Sequence, residues 1–432
     1  MSARPPSEPH ARAAPAAPPV PAAPAPLAPP AGSSYEPFDP DYLASLIDEA
    51  FEPLCRHYFR PVLLGAERLP RRGPLVLAPN HSGNAFPYDG MLLDALLWEH
   101  EGRPRRGKIR TVYEKELAVT WWMRPFGIDN FWRRCGGIDL TFDNFDRLLA
   151  RGERVVYYPE GVPGIGKGFF RRYQLQRFST SFVIHAARHG APVFPVYVVN
   201  AEWVLPFCVT LRPLDRLVQK LFRVPFLPLP AAPLALLFPW MWYLALPSRM
   251  VFVVGEAIDM RQMVADAGLD DPGRLADLGE GGRAVLRQVA EQVRRRCQIE
   301  LEQQVGFHGR RPYDLRLLAR ELWQGRRKLA RILPTGWPVT FNRHQRNRRR
   351  PPARNRLHAV LRDWDLALFY LPFGWPLLSL ARSLRRPPYG FRGVDPGERR
   401  EVEGSFHWRL EERPLPPPDR DDSKAPEVPA GG

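Results

Sequence analysis

The chain has 432 residues, 50 of them proline, and a formal charge of +16 from 62 Lys plus Arg against 46 Asp plus Glu. It is long enough for one or two domains, and the cationic excess suits a partner carrying phosphates, nucleic acid or an anionic lipid surface, without choosing between them. Cys55, Cys135, Cys208 and Cys297 stand alone, with no C-x-x-C pair and no histidine at metal-ligand spacing, so neither a disulfide scaffold nor a zinc site is implied. A reducing compartment is the simplest inference, and no metal is expected.

Residues 1–34 are nearly all Pro, Ala, Ser and Gly. Such a segment has too little apolar side chain to offset the entropy of ordering it, and is expected to be disordered. Proline interrupts every stretch that would serve as an apolar signal-peptide core, so no signal peptide is expected. From residue 36 short β-rich runs alternate with amphipathic helical stretches, which predicts an α/β domain over 36–260. A helix is predicted at 41–58 and strands at 74–79, 108–113, 154–158, 192–199 and 249–254. Helices are predicted between them at 90–99, 116–124, 142–151 and 178–189. The connections are long enough for crossovers, so the fold class is α/β, with a mixed, largely parallel sheet flanked by helices. Beyond 260 the pattern is helical, notably at 283–305, and residues 261–410 read as a basic, helical C-terminal extension. The stretch 412–432 reads as a second disordered tail.

Two stretches stand out for apolarity. Between Arg223 and Arg249 there is no charged residue, which is length enough to span a bilayer. Six prolines interrupt it, and a helix so broken leaves backbone groups unsatisfied in hydrocarbon. An interfacial loop or broken helix with Trp240, Trp242 and Tyr243 at headgroup level is expected, the alternative being a buried connection. The second stretch, 364–381, follows the basic run 342–350 (NRHQRNRRR). That pairing suits shallow insertion into an anionic lipid surface, or else a solvated charged face or a nuclear-localisation-like patch.

Two loops carry the chemistry. The first is LAPNHSGNAFPYDG at 77–90, a strand running into polar residues at the edge where α/β proteins place ligands. There His81 can take a proton from a hydroxyl, and Asp89 is the candidate carboxylate to orient the imidazole. His81 satisfied by loop hydrogen bonds, and Asp89 acting as a helix N-cap, are the plainer alternatives. The second is VVYYPEGVPGIGKGFFRRYQLQRF at 155–178, whose glycines expose backbone N–H groups and whose Lys167 and Arg171 suit a phosphate. It is neither a P-loop nor a dinucleotide fingerprint.

Together the two loops resemble the phospholipid/glycerol acyltransferase family, which includes the lysophosphatidic acid acyltransferases. The resemblance rests on Asn80-His81 with Asp89, on Tyr158-Pro159-Glu160-Gly161, on Gly136-Gly137-Ile138 with Asp143-Asn144, and on 191–196 (APVFPV). It covers about 60–260 in the family's order. Two departures stand beside it: His81 and Asp89 enclose seven residues where the family has four, with Ala85-Phe86-Pro87 as the extra, and the family's Arg after Gly-x-Ile is replaced by Thr141-Phe142-Asp143.

The resemblance implies acyl transfer from a thioester of coenzyme A or acyl carrier protein to a hydroxyl of a lysophospholipid or glycerol phosphate, with no other cofactor. His81 and Asp89 are the implied catalytic residues. Asn80, Ser82, Gly83, Glu160, Gly161, Lys167 and Arg171 are the implied substrate-binding residues, with backbone N–H groups near 82–84 or 160–162 holding the oxyanion. The expected partners are an anionic membrane surface, the acyl thioester and a lysolipid, and the expected location is the cytoplasmic face of a membrane. A non-enzymatic lipid-binding protein of the same fold is the alternative. Nucleic-acid binding ranks last, because no recognised module accompanies the charge.

Overall fold

The structure, a computed structural model, describes residues 39–384 except 83–85, 114–130, 207, 223–225, 270, 272–277 and 348–354. The described residues lie in one compact unit, Met1–Tyr389, while the unit Gly390–Gly432 falls outside them. So do both terminal tails and the helix expected at 116–124.

Seven strands form one sheet in the order β1-β7-β6-β2-β5-β3-β4: β1 (Val62–Leu64), β2 (Leu75–Pro79), β3 (Arg110–Tyr113), β4 (Ile138–Asp139), β5 (Arg154–Val156), β6 (Val193–Val199) and β7 (Val251–Val254). Every pairing is parallel except β6 with β7. The mixed, mainly parallel sheet is the one expected. The five predicted strands are all present with trimmed ends, because their apolar runs have both faces covered, as in β2 and β6, where every position is buried. The two strands not predicted are the three-residue β1 and the two-residue β4, too short for a period-2 pattern to register.

The helices that matter for the site are α1 (Pro40–Leu46), α2 (Tyr88–His100), α3 (Phe142–Ala150), α4 (Ser181–His189), α5 (Ala231–Leu237), α6 (Glu280–His308) and α7 (Gly374–Leu384). α1 is capped by Asp39, whose carboxylate accepts from the Tyr42 N–H at 2.8 Å, and it continues through wider π-type turns to Phe59. Left-handed Arg60 then turns the chain into β1.

Alternation along the strands divides the core in two. Leu75, Leu77, Val156, Phe194, Val196 and Phe252 face the α1–α2 side, while Val76, Val155, Tyr157, Val193, Tyr197 and Val251 face α3, α4 and α6. The described residues beyond 260 are largely helical, as expected, and pack into both halves. α6 lies against β6 and α4. Across the other face, Trp337 is fully buried among the rings of Tyr58, Phe59 and Tyr88 at 5.3–5.7 Å, and its indole N–H donates to the Ile332 carbonyl. His57 meets Glu321 at 3.1 Å, and Ser45 meets His344 at 2.9 Å.

The described part of the apolar stretch, 226–248, is a broken helix, formed of α5 and a 3-10 turn at Pro239–Tyr243. Its orientation corrects the sequence expectation. Trp242 and Tyr243 are buried, and the Tyr243 carbonyl accepts from the Tyr88 hydroxyl at 2.7 Å. The prolines turn the aromatic end inward and leave the leucines of α5 outside. Among the described residues no helix is long and apolar enough to cross a membrane.

Replacing Trp337 by Ala removes the largest fully buried side chain of this half of the core. A loss of about 3–5 kcal/mol in unfolding free energy is expected from urea titration in one cooperative transition. A loss below about 1 kcal/mol would show that the C-terminal helices contribute little to the core.

Candidate active site

Parallel strands side by side bring the ends of their loops together, and the two chemistry-bearing loops leave the C-terminal ends of adjacent strands β2 and β5. Asn80 follows β2. Its side-chain amide is clamped to the next strand, accepting from the Val198 N–H at 2.7 Å and donating to the Val198 carbonyl at 3.2 Å. This fixes the direction in which the chain leaves the sheet at His81.

His81 is held from two sides. Its backbone N–H donates to Glu160 Oε1 at 2.8 Å, and its ring stacks on Tyr158 with centroids 4.1 Å apart and planes within 16°. Burial, together with the positive charge of Lys167, pushes the imidazole pKa down to about 3. The ring is therefore neutral near pH 7.

Asp89 sits in the first turn of α2, buried, with one carboxylate oxygen accepting from the Ser82 N–H at 3.3 Å. Burial raises its pKa against hydrogen bonds from the Gly90 N–H and from Ser82. The structure thus brings His81, Ser82 and Asp89 to one strand end. No hydrogen bond joins the imidazole to the Asp89 carboxylate among the described residues. Gly83 lies outside them.

Glu160 is the centre of the second loop. Its side chain has no exposed surface, and its two oxygens accept from the backbone N–H groups of His81 and Gln176 at 2.8 and 2.7 Å. Burial raises its pKa against the stabilising charge of Lys167. Gly161 takes the left-handed φ of 55° that turns the chain into the short helix Gly161–Ile165, and its N–H is used by the Tyr158 carbonyl. Two of the backbone N–H groups expected near an oxyanion, those of Ser82 and Gly161, are therefore already engaged. A Cβ on Gly164 would stand 2.6 Å from Cβ of Glu160 and 2.9 Å from Cβ of His81, so only glycine permits this approach.

Of the two cations expected to meet a phosphate, Lys167 is enclosed and Arg171 is exposed. The Lys167 ammonium lies 3.9 Å from Glu160 and 3.8 Å from Glu202. Glu202, in the turn that follows β6, is also without exposed surface, and burial pushes its pKa up to about 7 against the pull of Lys167. Nothing in the motif pattern singles out Glu202. The signal available in the sequence was a carboxylate three residues beyond an all-apolar central strand. Of the cations that could stand in for the family's missing Arg, Lys115 and the side chain of Arg133 fall outside the described residues. Arg134 is paired with Asp39 at 3.1 Å and lies over the Tyr42 ring.

One further cluster lies away from these loops. Cysteine spacing does not reveal His185 and His189, one turn apart on α4, which meet Asp146 of α3 with ligand-type atoms within 4.8 Å of one another. Asp146 Oδ1 is bonded to His185 Nδ1, His189 Nε2 and the Arg188 guanidinium at 3.1, 2.9 and 3.0 Å. An ion held through His185 Nδ1 would move the ring proton to Nε2, which is buried without a hydrogen-bond partner. Arg188 already supplies the positive charge, so the group reads as a tie between α3 and α4.

With this geometry in place, comparison with known proteins gives the following likenesses. Residues 61–199, from β1 through β6, match the acyltransferase family model. Uncharacterized proteins of Mycobacterium tuberculosis (strain H37Rv) and Mycobacterium bovis are 29% identical to it over 252 residues, 58% of this chain and 66% of theirs. One of Mycobacterium leprae is similar at 29% over 65% of its length. The crystal structure of the 1-acyl-sn-glycerophosphate (LPA) acyltransferase PlsC from Thermotoga maritima aligns at 15% identity and a TM-score of 0.31, over 56% of this chain and 72% of that one.

The buried cluster carries a pH signature. Glu202 binds its proton more tightly folded, at about 7, than at its ordinary 4.5, so its ionisation costs folding free energy as pH rises between those values. Relative to wild type, Glu202→Gln is expected to gain stability from pH 5 to 7 and to level off above, read from thermal transitions across that range. A stability difference independent of pH would show that Glu202 titrates normally.

Proposed function

We propose that this chain transfers an acyl group from an acyl thioester, of coenzyme A or acyl carrier protein, to the hydroxyl of a lysophospholipid or glycerol-phosphate-type acceptor. The observation that carries the reading is the placement of His81, partly exposed at the strand end, its ring stacked on Tyr158 and its backbone N–H pinned to Glu160. The acceptor hydroxyl gives its proton to His81 while its oxygen attacks the thioester carbonyl. The tetrahedral intermediate then collapses, the carbon–sulfur bond breaks, and the thiolate takes the proton back from the imidazolium. Atoms and charge balance without a redox partner or a covalent acyl-enzyme.

Asp89 supports the imidazolium through the field of a carboxylate at the same strand end. Glu160 acts by placing His81. Arg171, exposed at the mouth of the second loop, is the cation best placed to meet an acceptor phosphate, since Lys167 has no exposed surface. The alternative reading, a lipid-binding protein without turnover, draws support from Asp89, whose carboxylate bonds the Ser82 N–H and not the imidazole.

Labelled acyl-coenzyme A and acyl carrier protein, offered with a panel of lysophospholipids and glycerol phosphate, separate the two readings. Wild type is expected to form product, and His81→Ala to lose roughly 10²–10⁴-fold in rate with its fold intact. Product formation at the wild-type rate by the variant would exclude His81 as the base. Absence of product from every donor and acceptor would favour the lipid-binding reading.

A further inference from the structure

The two apolar stretches of the sequence, more than a hundred residues apart, meet in the folded chain. The Phe373 N–H donates to the Leu237 carbonyl at 2.7 Å, α7 packs along α5, and the turn Trp364–Tyr370 packs on Pro239–Tyr243. On the inner side Leu366, Phe369, Leu378 and Ala381 are buried. On the outer side Leu236, Phe373, Leu377 and Leu380 are 57, 67, 54 and 56% exposed, with Leu371 half open beside them. A surface helix in water turns polar residues outward, and α7 turns leucines out as well as in.

We infer that this joined face of α5 and α7 docks the protein on an anionic lipid bilayer. Charge selects the occupant. No acidic residue occurs in 224–248 or in 366–386, and Arg382, Arg385 and Arg386 close the second stretch, with the basic run 342–350 before it. An apolar stretch that carries no carboxylate and is bounded in sequence by arginines suits hydrocarbon rimmed by anionic headgroups. The face is also one layer from the candidate active site. The 3-10 turn behind α5 carries Tyr243, whose ring lies 5.5 Å from that of Phe86 and whose carbonyl holds the Tyr88 hydroxyl, next to Asp89. Docking there brings the loop of the proposed acyl transfer to the surface where a lysolipid resides.

Flotation of the full chain with vesicles tests this without reference to turnover, so it stands or falls apart from the acyl-transfer reading. Wild type is expected to float with phosphatidylglycerol–phosphatidylcholine vesicles, and less with phosphatidylcholine alone. The double substitution Phe373→Glu with Leu377→Glu is expected to weaken partitioning by roughly tenfold or more while keeping the wild-type thermal transition. Failure of wild type to float, or equal flotation of the folded variant, overturns the inference. Self-association in sedimentation velocity that the substitutions abolish, without vesicle binding, assigns the face to a second copy instead.

Discussion

The carboxylate of Glu160 is the interaction on which the rest of the candidate site depends. It is sealed from water and spends one oxygen on the His81 N–H and the other on the Gln176 N–H. A buried carboxylate left unpaired costs several kcal/mol, so these two backbone segments are held wherever Glu160 stands. Each is far from the other in sequence, and both loops leave the sheet at the same edge. The strand order β6-β2-β5 supplies the proximity, the Asn80 clamp supplies the direction, and Gly164 supplies the room for the approach.

The same burial makes Lys167 and Glu202 part of the site. One ammonium between two enclosed carboxylates satisfies charge only in part, and the distances of 3.8 and 3.9 Å leave its Nζ without a direct hydrogen bond. Removing the lysine would leave both enclosed carboxylates without their counter-ion. Its charge also acts on the imidazole, adding to burial in keeping His81 deprotonated. The cation that reads in the sequence as a phosphate ligand is therefore, in the folded chain, a counter-ion of the interior. Exposure decides the matter, and exposure is not visible in a motif.

What was legible in the sequence divides along physical lines. Strands β2, β3, β5, β6 and β7 announced themselves because a buried parallel strand needs an unbroken apolar run, and the two loops because polar residues after such runs are conspicuous. β1 and β4 were not legible, since strands of three and two residues are held by their neighbours' hydrogen bonds and carry no periodicity of their own. The role of Glu202 was hidden for a related reason. Its meaning arises from a lysine 35 positions earlier, and only the crossover from β5 to β6 sets them side by side. The orientation of Trp242 and Tyr243 was read the wrong way because interfacial aromatics and core aromatics have the same composition. A hydroxyl on the Tyr88 side chain aimed at the Tyr243 carbonyl is what tells them apart.

The seven residues between His81 and Asp89 illustrate how a departure from a motif acquires a physical cause. Phe86, one of the three apparent extras, is buried against Tyr88 and Tyr243 at 4.6 and 5.5 Å. Its ring thus ties the longer loop to the Pro239–Tyr243 turn, and through that turn to α5 and α7. Asp89 thus lies in the first turn of α2, within reach of Ser82, while Phe86 links the loop of the candidate site to the apolar face outside it.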